Sequence, residues 1–273
     1  MKIAIIGSGI SGLTAAYLLN RKHDITVFEA NDYIGGHTHT VEVELKGQQY
    51  HVDTGFIVFN DRTYPNFMNL MDQLGVEKVP TAMGFGVKSD RTGIEYSTTS
   101  LNHLFAQRRN LTNFVFLGML QNINRFNKQV SAALQGNQLD ADVSLGEYLK
   151  YQGYSQFFID HFITPMGAAI WSISVKQMMD FPLLAFARFF HNHGLLTLSD
   201  QPQWYFIKDG SQSYVKKLTA SFIDKIRLST PVQSVIRDGD RVFIEVDGET
   251  VRFDKVVFAT HSDVTLNMLA DPS

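Results

Sequence analysis

The sequence predicts an α/β protein in which a Rossmann-like domain is interrupted by a mostly helical insert. Three observations indicate this fold. The chain opens on a short apolar run, Lys2–Ile6, that leads directly into a glycine-rich turn. A helical segment and a second strand ending at Glu29 follow the turn. Alternating strand patterns return after residue 203, behind a long stretch of helical periodicity.

The glycine-rich turn is the first element with a predicted ligand. Gly7, Gly9 and Gly12 have the spacing G-x-G-x-x-G, and Ile10 and Ser11 lie within it at the start of the helix. In this motif the glycines permit a tight turn, a close approach of the backbone to a pyrophosphate, and close helix–strand packing. The N–H groups at the start of a helix bind phosphate. We therefore predict that these five residues bind a dinucleotide.

The second strand, Asp24–Phe28, ends at an acidic residue placed to recognise a ribose. Glu29 stands 17 positions after Gly12 and is followed by Ala30. A carboxylate at this point accepts hydrogen bonds from the hydroxyls of an adenosine ribose and repels the 2′-phosphate of NADP. Strand, turn, helix, strand and carboxylate together predict an FAD/NAD(P)-binding domain.

A second glycine pair distinguishes FAD from NAD. Gly35 and Gly36, followed by His37 and Thr38, come shortly after Glu29. A longer ligand, whose pyrophosphate is flanked by two backbone segments, requires such a pair, and NAD does not. The segment resembles the glycine-glycine-arginine-x-x-threonine signature of the flavin-containing amine oxidases and phytoene desaturases. That resemblance implies FAD as the cofactor and a domain of the glutathione-reductase type.

The resemblance also assigns further contacts to the cofactor. It places Gly36, His37 and Thr38 along the pyrophosphate and ribityl chain, although His37 stands where arginine is usual. A histidine lacks the permanent charge and the fork of donors of arginine, so a purely structural His37 is the alternative. The family pattern further places the flavin contacts and the adenine contact at these residues: Gly55, Phe56, Ile57 and Val232. An ordinary hairpin exit with core phenylalanines is the alternative at Gly55–Ile57.

The middle of the chain changes to helical periodicity rich in aromatic residues. We predict a discontinuous cofactor domain over 1–82 and 204–273 and a helical substrate-domain insert over 83–203, with Pro165 and Pro182 separating helices. One helical stripe comprises these residues: Phe116, Leu120, Ile123, Asn127, Val130 and Leu134. Most aromatic residues of the insert belong to its core, and a minority line an apolar substrate site. Asn60, Tyr64 and Trp171 are the predicted substrate-side residues.

Four further segments resemble a narrower group within this superfamily. They are 60–66 (NDRTYPN), 167–172 (GAAIWS), 188–193 (RFFHNH), and 202–204 (PQW) together with 211–215 (SQSYV). The group comprises bacterial NAD/FAD-binding, amine-oxidase-like proteins and the N-terminal flavin domain of plant cyclopropane fatty acid synthases. It implies a lipid or fatty acyl context. Members of the superfamily continue well past residue 258, so we expect a C-terminal remainder to be missing from this chain.

Composition excludes several other classes. The net charge of −3 gives no reason to expect a nucleic-acid partner. The absence of cysteine excludes disulfides, thiolate metal sites and thiol nucleophiles. His191 and His193 are two apart on a helix and do not share a metal, and His161 is predicted to be a core residue, so no metal site is expected. The sequence shows no transmembrane run and no secretory leader, and a cytoplasmic location is expected.

Three functional hypotheses follow. The first is an FAD-dependent oxidoreductase whose flavin accepts a hydride from an apolar, acyl-lipid or amine substrate. The second is a non-catalytic flavin-binding module that partners a lipid-modifying enzyme. The third, an NAD-dependent enzyme, is disfavoured by the pair Gly35-Gly36. No residue of this chain is assigned as catalytic, because amine oxidases of this kind use a lysine from a more distal part of the chain.

Overall fold

The structure, a computed structural model, describes residues 1–197 and 201–272. The chain forms two compact units. Unit 1 comprises Met1–Phe59, Pro65–Pro80 and Tyr205–Ser273, and unit 2 comprises Asn60–Tyr64 and Thr81–Trp204. Unit 1 is thus assembled from three separate stretches of sequence.

The strands occupy the beginning and the end of the chain. In chain order they are β1 (Lys2–Ile6), β2 (Asp24–Phe28), β3 (Thr40–Leu45), β4 (Gln48–Asp53), β5 (Phe59–Asn60), β6 (Lys78–Thr81), β7 (Gly86–Ser89), β8 (Ile94–Ser97), β9 (Trp204–Ile207), β10 (Ile226–Arg227), β11 (Val232–Asp238), β12 (Arg241–Val246), β13 (Glu249–Phe253) and β14 (Lys255–Phe258).

The helices concentrate in the middle of the chain. They are α1 (Ile10–Leu19), α2 (Pro65–Gln73), α3 (Leu101–Leu104), α4 (Phe114–Gln135), α5 (Leu145–Tyr151), α6 (Gln156–Phe158), α7 (Thr164–Trp171), α8 (Val175–Met179), α9 (Leu183–Asn192), α10 (Gln212–Thr219) and α11 (Ser262–Met268). A π-helical segment, Ile159–Ile163, joins α6 to α7, and 3₁₀ turns occupy Arg108–Leu111 and Ile223–Lys225.

Unit 1 is built on a parallel four-stranded sheet in the order β10-β2-β1-β14. Strand β1 is one of the two inner strands. Its residues Ile3–Ile6 are apolar and buried, as a parallel strand covered on both faces requires. Helix α1 follows β1 and packs against β1, β2 and α10. This strand–helix–strand order places the start of α1 at the carboxyl edge of the sheet, where α/β proteins bind their ligands.

Other sheets complete unit 1. Strands β11, β12 and β13 form an antiparallel meander whose buried side chains share one core with β1 and β2. Strands β5, β9 and β6 form a small three-stranded sheet. Strands β3 and β4 form a hairpin with Thr40 opposite Asp53. The meander agrees with the alternating strand patterns predicted after residue 203.

Unit 2 has a separate aromatic core around α4. Phe116, Met119, Phe126 and Val130 are fully buried on one face of this helix. The predicted stripe is confirmed, since Leu120, Ile123 and Leu134, its other apolar residues, are partly buried and pack against the same core. The aromatic rings of α6, α7 and α9 fill the space around Phe126. Most aromatic residues of the insert are therefore core residues, as predicted.

Pro165 does not separate two helices, which corrects one prediction. Residues 156–171 are helical without a break, and Pro165 lies in the first turn of α7. A proline has no N–H to donate to the carbonyl four residues earlier, here that of His161. The Tyr96 hydroxyl donates to that carbonyl instead, at 2.6 Å. The His161 carbonyl thus keeps a hydrogen-bond partner, and Pro165 stands in the first turn of α7, where a proline is tolerated. Pro182, by contrast, does precede a helix start, that of α9.

Candidate functional site

The glycine-rich turn at the carboxyl end of β1 is shaped by contacts that only glycine permits. Gly7 has φ +102°, in the region that favours glycine. A Cβ on Gly12 would lie 1.9 Å from the carbonyl oxygen of Gly7, so α1 approaches β1 more closely than any other residue would allow. A Cβ on Gly9, in contrast, would meet no protein atom within 4 Å. The turn therefore leaves open space beside Gly9, at the start of α1.

The second glycine pair lies directly against the first. The Gly35 N–H donates to the Ser8 carbonyl at 2.9 Å, and Gly35 and Gly9 form a parallel bridge. Gly36 has φ +58°, and its Cβ would lie 3.2 Å from the Cα of Gly9. Two glycine clusters 27 positions apart in sequence thus form one backbone cradle at the edge of the sheet.

Glu29 lies at the end of β2 and is held in a fixed orientation. Its side chain is buried, with 7% of the residue exposed. One carboxylate oxygen accepts from the Ser8 N–H at 2.9 Å and the Ser8 hydroxyl at 2.6 Å. The other accepts from the Asn31 N–H at 2.9 Å. The oxygen that accepts from Asn31 keeps a second lone pair for a ribose hydroxyl, whereas the oxygen that accepts twice from Ser8 has none left.

Val232 and Ala30 lie on either side of Glu29. The Thr230 N–H donates to the Glu29 carbonyl at 2.8 Å, which brings the segment that begins β11 beside the end of β2. Val232 is half-buried at the start of β11, and Ala30 is exposed. The predicted ribose and adenine contacts are thus neighbours in the fold.

The loop after Gly36 is joined to α10 by a polar network. The Thr38 and Tyr214 hydroxyls are 2.5 Å apart and buried. Burial raises the pKa of Tyr214, an effect that the hydrogen bond to Thr38 opposes. The Asp53 carboxylate accepts from the Thr40 hydroxyl at 2.5 Å and from the Ser211 N–H at 2.9 Å. Asp53 therefore caps α10, which has no side-chain cap of its own.

The predicted flavin-side residues lie beside His37. The Phe56 N–H donates to the His37 carbonyl at 3.0 Å, and a Cβ on Gly55 would lie 2.2 Å from the same oxygen. Phe56 packs edge-on against Phe67 at 5.3 Å, whereas Ile57 is exposed. All fifteen predicted cofactor residues belong to unit 1: Gly7, Gly9, Ile10, Ser11, Gly12, Glu29, Ala30, Gly35, Gly36, His37, Thr38, Gly55, Phe56, Ile57 and Val232.

The structure adds residues that sequence reasoning missed. Ser8 orients Glu29, and the His261 ring stacks against that of His37 with their centroids 6.3 Å apart. Tyr214 and Ser211 anchor the loop from α10. Ser8 lies inside the predicted motif and could have been included. Ser211 and Tyr214 lie in the segment 211–215, which the resemblance singled out without a cofactor role, and no local pattern reveals His261.

The three predicted substrate-side residues lie in unit 2. Asn60 is buried, and its side-chain oxygen accepts from the Arg62 and Thr63 N–H groups, which gives it a turn-forming role. Tyr64 lies 6.3 Å from the His193 ring, and burial raises its pKa. Trp171 lies 4.9 Å from Phe189, which stacks on His193 at 3.9 Å. Tyr64 and Trp171 thus belong to one series of ring contacts, and Asn60 does not.

His161 has the environment expected for a packed core residue. His161 is 2% exposed, and its two ring nitrogens contact the Thr92 hydroxyl at 2.8 Å and the Phe157 carbonyl at 3.0 Å. The prediction of a core histidine is confirmed. Among residues 1–197 and 201–272, the structure contains no group of three metal-binding side chains. Within the same ranges, no helix is long and apolar enough to cross a membrane.

The cradle in unit 1 has the donors and the space that a dinucleotide requires. First-turn N–H groups of α1 lack partners within the helix, and the open space at Gly9 lies beside them. The Gly35-Gly36 loop lies directly against Ser8 and Gly9, and the buried carboxylate of Glu29 stands at the adjacent strand end. The residues present therefore fit FAD.

Comparison with known proteins agrees with this geometry. The family model for flavin containing amine oxidoreductases matches residues 10–273. The 15-cis-phytoene desaturase of Arabidopsis thaliana is 25% identical over 303 residues, which cover 100% of this chain and 50% of the relative. The 1-hydroxycarotenoid 3,4-desaturase of Flavobacterium sp. (strain P99-3) is 45% identical over 74 residues, which cover 27% of this chain and 14% of the relative.

A solved structure shares the fold. Cyclohexylamine oxidase from Brevibacterium oxydans IH-35A matches with a TM-score of 0.72 and 19% identity, over 98% of this chain and 59% of that chain. The chain spans about half the length of the phytoene desaturase that it matches. The predicted Rossmann-like α/β fold and the predicted superfamily are confirmed. This chain belongs to the flavin containing amine oxidoreductase family of FAD-dependent oxidoreductases.

Proposed function

We propose that unit 1 binds FAD in the glycine cradle and that the protein is an oxidoreductase acting on an apolar, acyl-lipid or amine substrate. The observation that carries the proposal is the direct contact of the two glycine clusters, Gly35 with Ser8 and Gly36 with Gly9. When bound, FAD supplies hydride acceptance and the return of electrons to an acceptor. The chain itself supplies binding, orientation and the exclusion of water.

The backbone of the cradle accounts for recognition of the pyrophosphate. N–H groups at the start of α1 donate to phosphate oxygens, and the positive end of the helix dipole favours their charge. The space beside Gly9 admits the ligand because no side chain fills it. His37 and His261 are exposed ring neighbours on the second loop and after β14, and their ring N–H groups are additional donors near this position.

Glu29 accounts for recognition of the ribose. Its three hydrogen bonds from Ser8 and Asn31 fix the carboxylate before any ligand binds, so little ordering entropy is lost on binding. The negative charge also rejects a 2′-phosphate. Val232 and the backbone beside it form the adjacent surface for the adenine.

The rings of unit 2 favour a substrate with an apolar body. Tyr64, His193, Phe189 and Trp171 form a continuous series of ring contacts, with centroid separations of 6.3, 3.9 and 4.9 Å. Relatives in the family are named for phytoene and hydroxycarotenoid desaturation, and a structural neighbour is named for cyclohexylamine oxidation. Steady-state reduction of the flavin by an acyl lipid, compared with an amine of similar carbon number, distinguishes these substrate classes.

The test of the cofactor proposal is the absorption spectrum and FAD affinity of the purified chain. We expect the wild type to bind FAD and to show flavin absorbance. Glu29→Arg removes the ribose acceptor and replaces the carboxylate that accepts from Ser8 and Asn31 with a cation, so the Kd for FAD should rise by at least about tenfold.

Two further variants make the result specific. Glu29→Gln keeps one acceptor and should bind FAD with intermediate affinity. Glu42→Arg makes the same charge change on the exposed hairpin strand β3 and should leave FAD affinity unchanged. Equal FAD affinity in Glu29→Arg and wild type would refute the ribose assignment, and a correctly folded, colourless wild type that does not bind added FAD would refute the cofactor proposal.

A further inference from the structure

The start of α4 and the turns before it present large apolar side chains to solvent. Phe114, the first residue of α4, is 87% exposed, and Leu101, the first residue of α3, is 77% exposed. Leu111 and Val115 are exposed as well. Single exposed apolar residues are common on protein surfaces, whereas a group of them within one segment marks an interaction site.

The exposed side chains stand on a segment whose other residues are packed. Phe116, two positions after Phe114, is fully buried, and its ring lies edge-on to that of Phe105 at 5.9 Å. Asn110 is fully buried, and Asn113 caps α4 through its side-chain oxygen. The core of unit 2 therefore fixes this segment, and the exposed apolar residues contribute little to that core.

Two exposed arginines lie in the same segment. Arg108 donates to the Asn102 side-chain oxygen at 2.6 Å, which brings its guanidinium beside the residue that follows Leu101. Arg109 donates to the Gly93 carbonyl at 2.7 Å. Both acceptors are uncharged, so these bonds orient the two guanidinium groups without neutralising them.

The sequence around the two arginines contains no acidic residue. Residues 96–139 include four Arg and Lys residues and neither Asp nor Glu. The nearest acidic residue in sequence is Glu95, which lies at the border of the segment, since its N–H donates to the Gln107 side-chain oxygen at 3.1 Å. Positive charge therefore dominates this stretch of the chain.

An anionic bilayer surface is the partner whose chemistry matches this arrangement. Interfacial segments place Phe and Leu side chains at the boundary between headgroups and acyl chains, and neighbouring Arg and Lys side chains attract anionic lipids. The hairpin of β3 and β4 also exposes apolar side chains, among them Val43, but Glu42 and Glu44 flank Val43 on β3. An anionic surface repels those carboxylates, so charge favours the segment around Arg108 over the hairpin.

We propose that an apolar arginine patch on unit 2 binds the surface of an anionic lipid bilayer without crossing it. The residues of the patch are Leu101, Arg108, Arg109, Leu111, Phe114 and Val115. The apolar side chains enter the boundary below the headgroups, and the two arginines contact the headgroup phosphates. The patch belongs to unit 2 and the glycine cradle to unit 1, so vesicle binding and FAD affinity are measured independently.

Cosedimentation of the purified full chain with lipid vesicles tests the role of charge. We expect vesicles of phosphatidylglycerol and phosphatidylcholine in equal amounts to bind the chain at least about tenfold more tightly than phosphatidylcholine alone. High salt should weaken this binding, because it screens the attraction. Arg108→Gln should weaken it by about fivefold. Arg108→Lys should keep it, since a bilayer surface responds to the charge and not to the guanidinium fork.

The apolar contact has its own variants. Phe114→Ser should weaken binding to the mixed vesicles by about tenfold or more, because the ring no longer leaves water. Tyr151, which is 88% exposed at the end of α5, supplies the matched control. It precedes Gln152, whose carbonyl accepts from Arg125, about three helical turns beyond Phe114. Tyr151→Ser should bind the vesicles like wild type.

A spectroscopic measurement locates the contact. The emission of Phe114→Trp should shift to shorter wavelength when the mixed vesicles are added, and the emission of Tyr151→Trp should not. Equal binding to both kinds of vesicle, full binding by a folded Phe114→Ser chain, or an unshifted Phe114→Trp emission would overturn the proposal. So would loss of binding in Val43→Ser alone, which would place the contact on the hairpin. A chain that ignores vesicles and forms a dimer that Phe114→Ser dissociates would identify a second copy as the occupant, and would also overturn it.

Discussion

Two glycines of the same motif are present for different physical reasons. A side chain at Gly12 would collide with the Gly7 carbonyl at 1.9 Å, so this glycine is required by the protein's own packing. A side chain at Gly9 would meet nothing within 4 Å, and the Gly9 backbone, at φ −67° and ψ 177°, suits any residue. Gly9 is therefore required only if something else occupies that space.

Substitution of Gly9 by alanine separates folding from ligand binding. We expect Gly9→Ala to be neutral or to stabilise the chain by about 0.4–1 kcal/mol, because it reduces the entropy of the unfolded state without strain. The same change should raise the Kd for FAD by about tenfold or more, since the methyl group fills the pyrophosphate space. Denaturant unfolding and FAD fluorescence titration measure the two effects.

Gly12→Ala is the matched control in the same motif. Its Cβ has no space in the folded chain, and we expect it to be destabilised by more than about 1 kcal/mol. If Gly9→Ala bound FAD with wild-type affinity, the space beside Gly9 would not belong to a ligand.

At the scale of single elements, the helical stretch 156–171 shows how a side chain compensates for a proline. The carbonyl of His161 would be left without a partner by Pro165, and the buried Tyr96 hydroxyl donates to it. Burial raises the pKa of Tyr96 above its ordinary value. Strand β8 and the helix are thus connected through one hydrogen bond.

Removal of that hydroxyl should destabilise unit 2. We expect Tyr96→Phe to lower the free energy of unfolding by about 1–3 kcal/mol, because a buried carbonyl loses its partner. In the Pro165→Ala background the new N–H can take over, so the same Tyr96→Phe change should cost less. Urea unfolding of the four chains of this double-mutant cycle measures the coupling. Equal costs in both backgrounds would contradict the compensation.

Two helices of unit 2 begin with the same capping box but with different chemistry. In α5, Glu147 accepts from the Ser144 N–H at 3.0 Å and the Ser144 hydroxyl at 2.8 Å. In α8, Gln177 accepts from the Ser174 N–H and hydroxyl at the same distances, 3.0 and 2.8 Å. The backbone bond from Ser144, followed by its hydroxyl, lowers the pKa of Glu147. The side-chain amide of Gln177 in the second capping box does not titrate.

The two boxes predict opposite changes in pH dependence. A lowered folded-state pKa contributes stability that is complete above the ordinary glutamate pKa of about 4.3 and is lost as the pH falls through the lowered value. The stability advantage of wild type over Glu147→Gln should therefore shrink on acidification. The reciprocal variant Gln177→Glu should gain the same dependence at α8. Both predictions are tested by measuring the free energy of unfolding from about pH 3 to about pH 7, in steps of roughly one pH unit. A pH-independent difference would show that Glu147 does not titrate through its cap.

At the scale of the whole molecule, the sequence was informative where a motif is local. The turn at Gly7–Gly12, Glu29 and the Gly35-Gly36 pair could be predicted because each has a steric or electrostatic requirement of its own. Contacts between distant segments could not be predicted, such as Tyr214 with Thr38 or His261 with His37. Pro165 was misread for the same reason, since its compensation comes from Tyr96 on another element.

Cofactor binding should protect the parts of unit 1 that form the cradle. With FAD at about 100 times its Kd, binding stabilises the folded chain by about 2.7 kcal/mol. That free energy corresponds to about a hundredfold decrease in the rate of hydrogen exchange through unfolding. We expect hydrogen exchange of peptides from β1 and α1 to slow by up to that factor. Gly9→Ala at the same FAD concentration is the control, and it should show little slowing. Equal slowing in both chains would place the ligand elsewhere.

The pairing of β1 with β14 has a consequence for folding during synthesis. Ile3 aligns with Lys255, and β1 and β2 also need β10 to complete their sheet. A ribosome adding about 5–20 residues per second reaches β14 roughly 10–50 s after β2. Unit 2 lies almost entirely between these strands and emerges before the sheet of unit 1 is complete. The edges of the nascent β1 and β2 therefore stay unpaired during this time, and the sheet that carries the cradle is complete only after β14 has been synthesised.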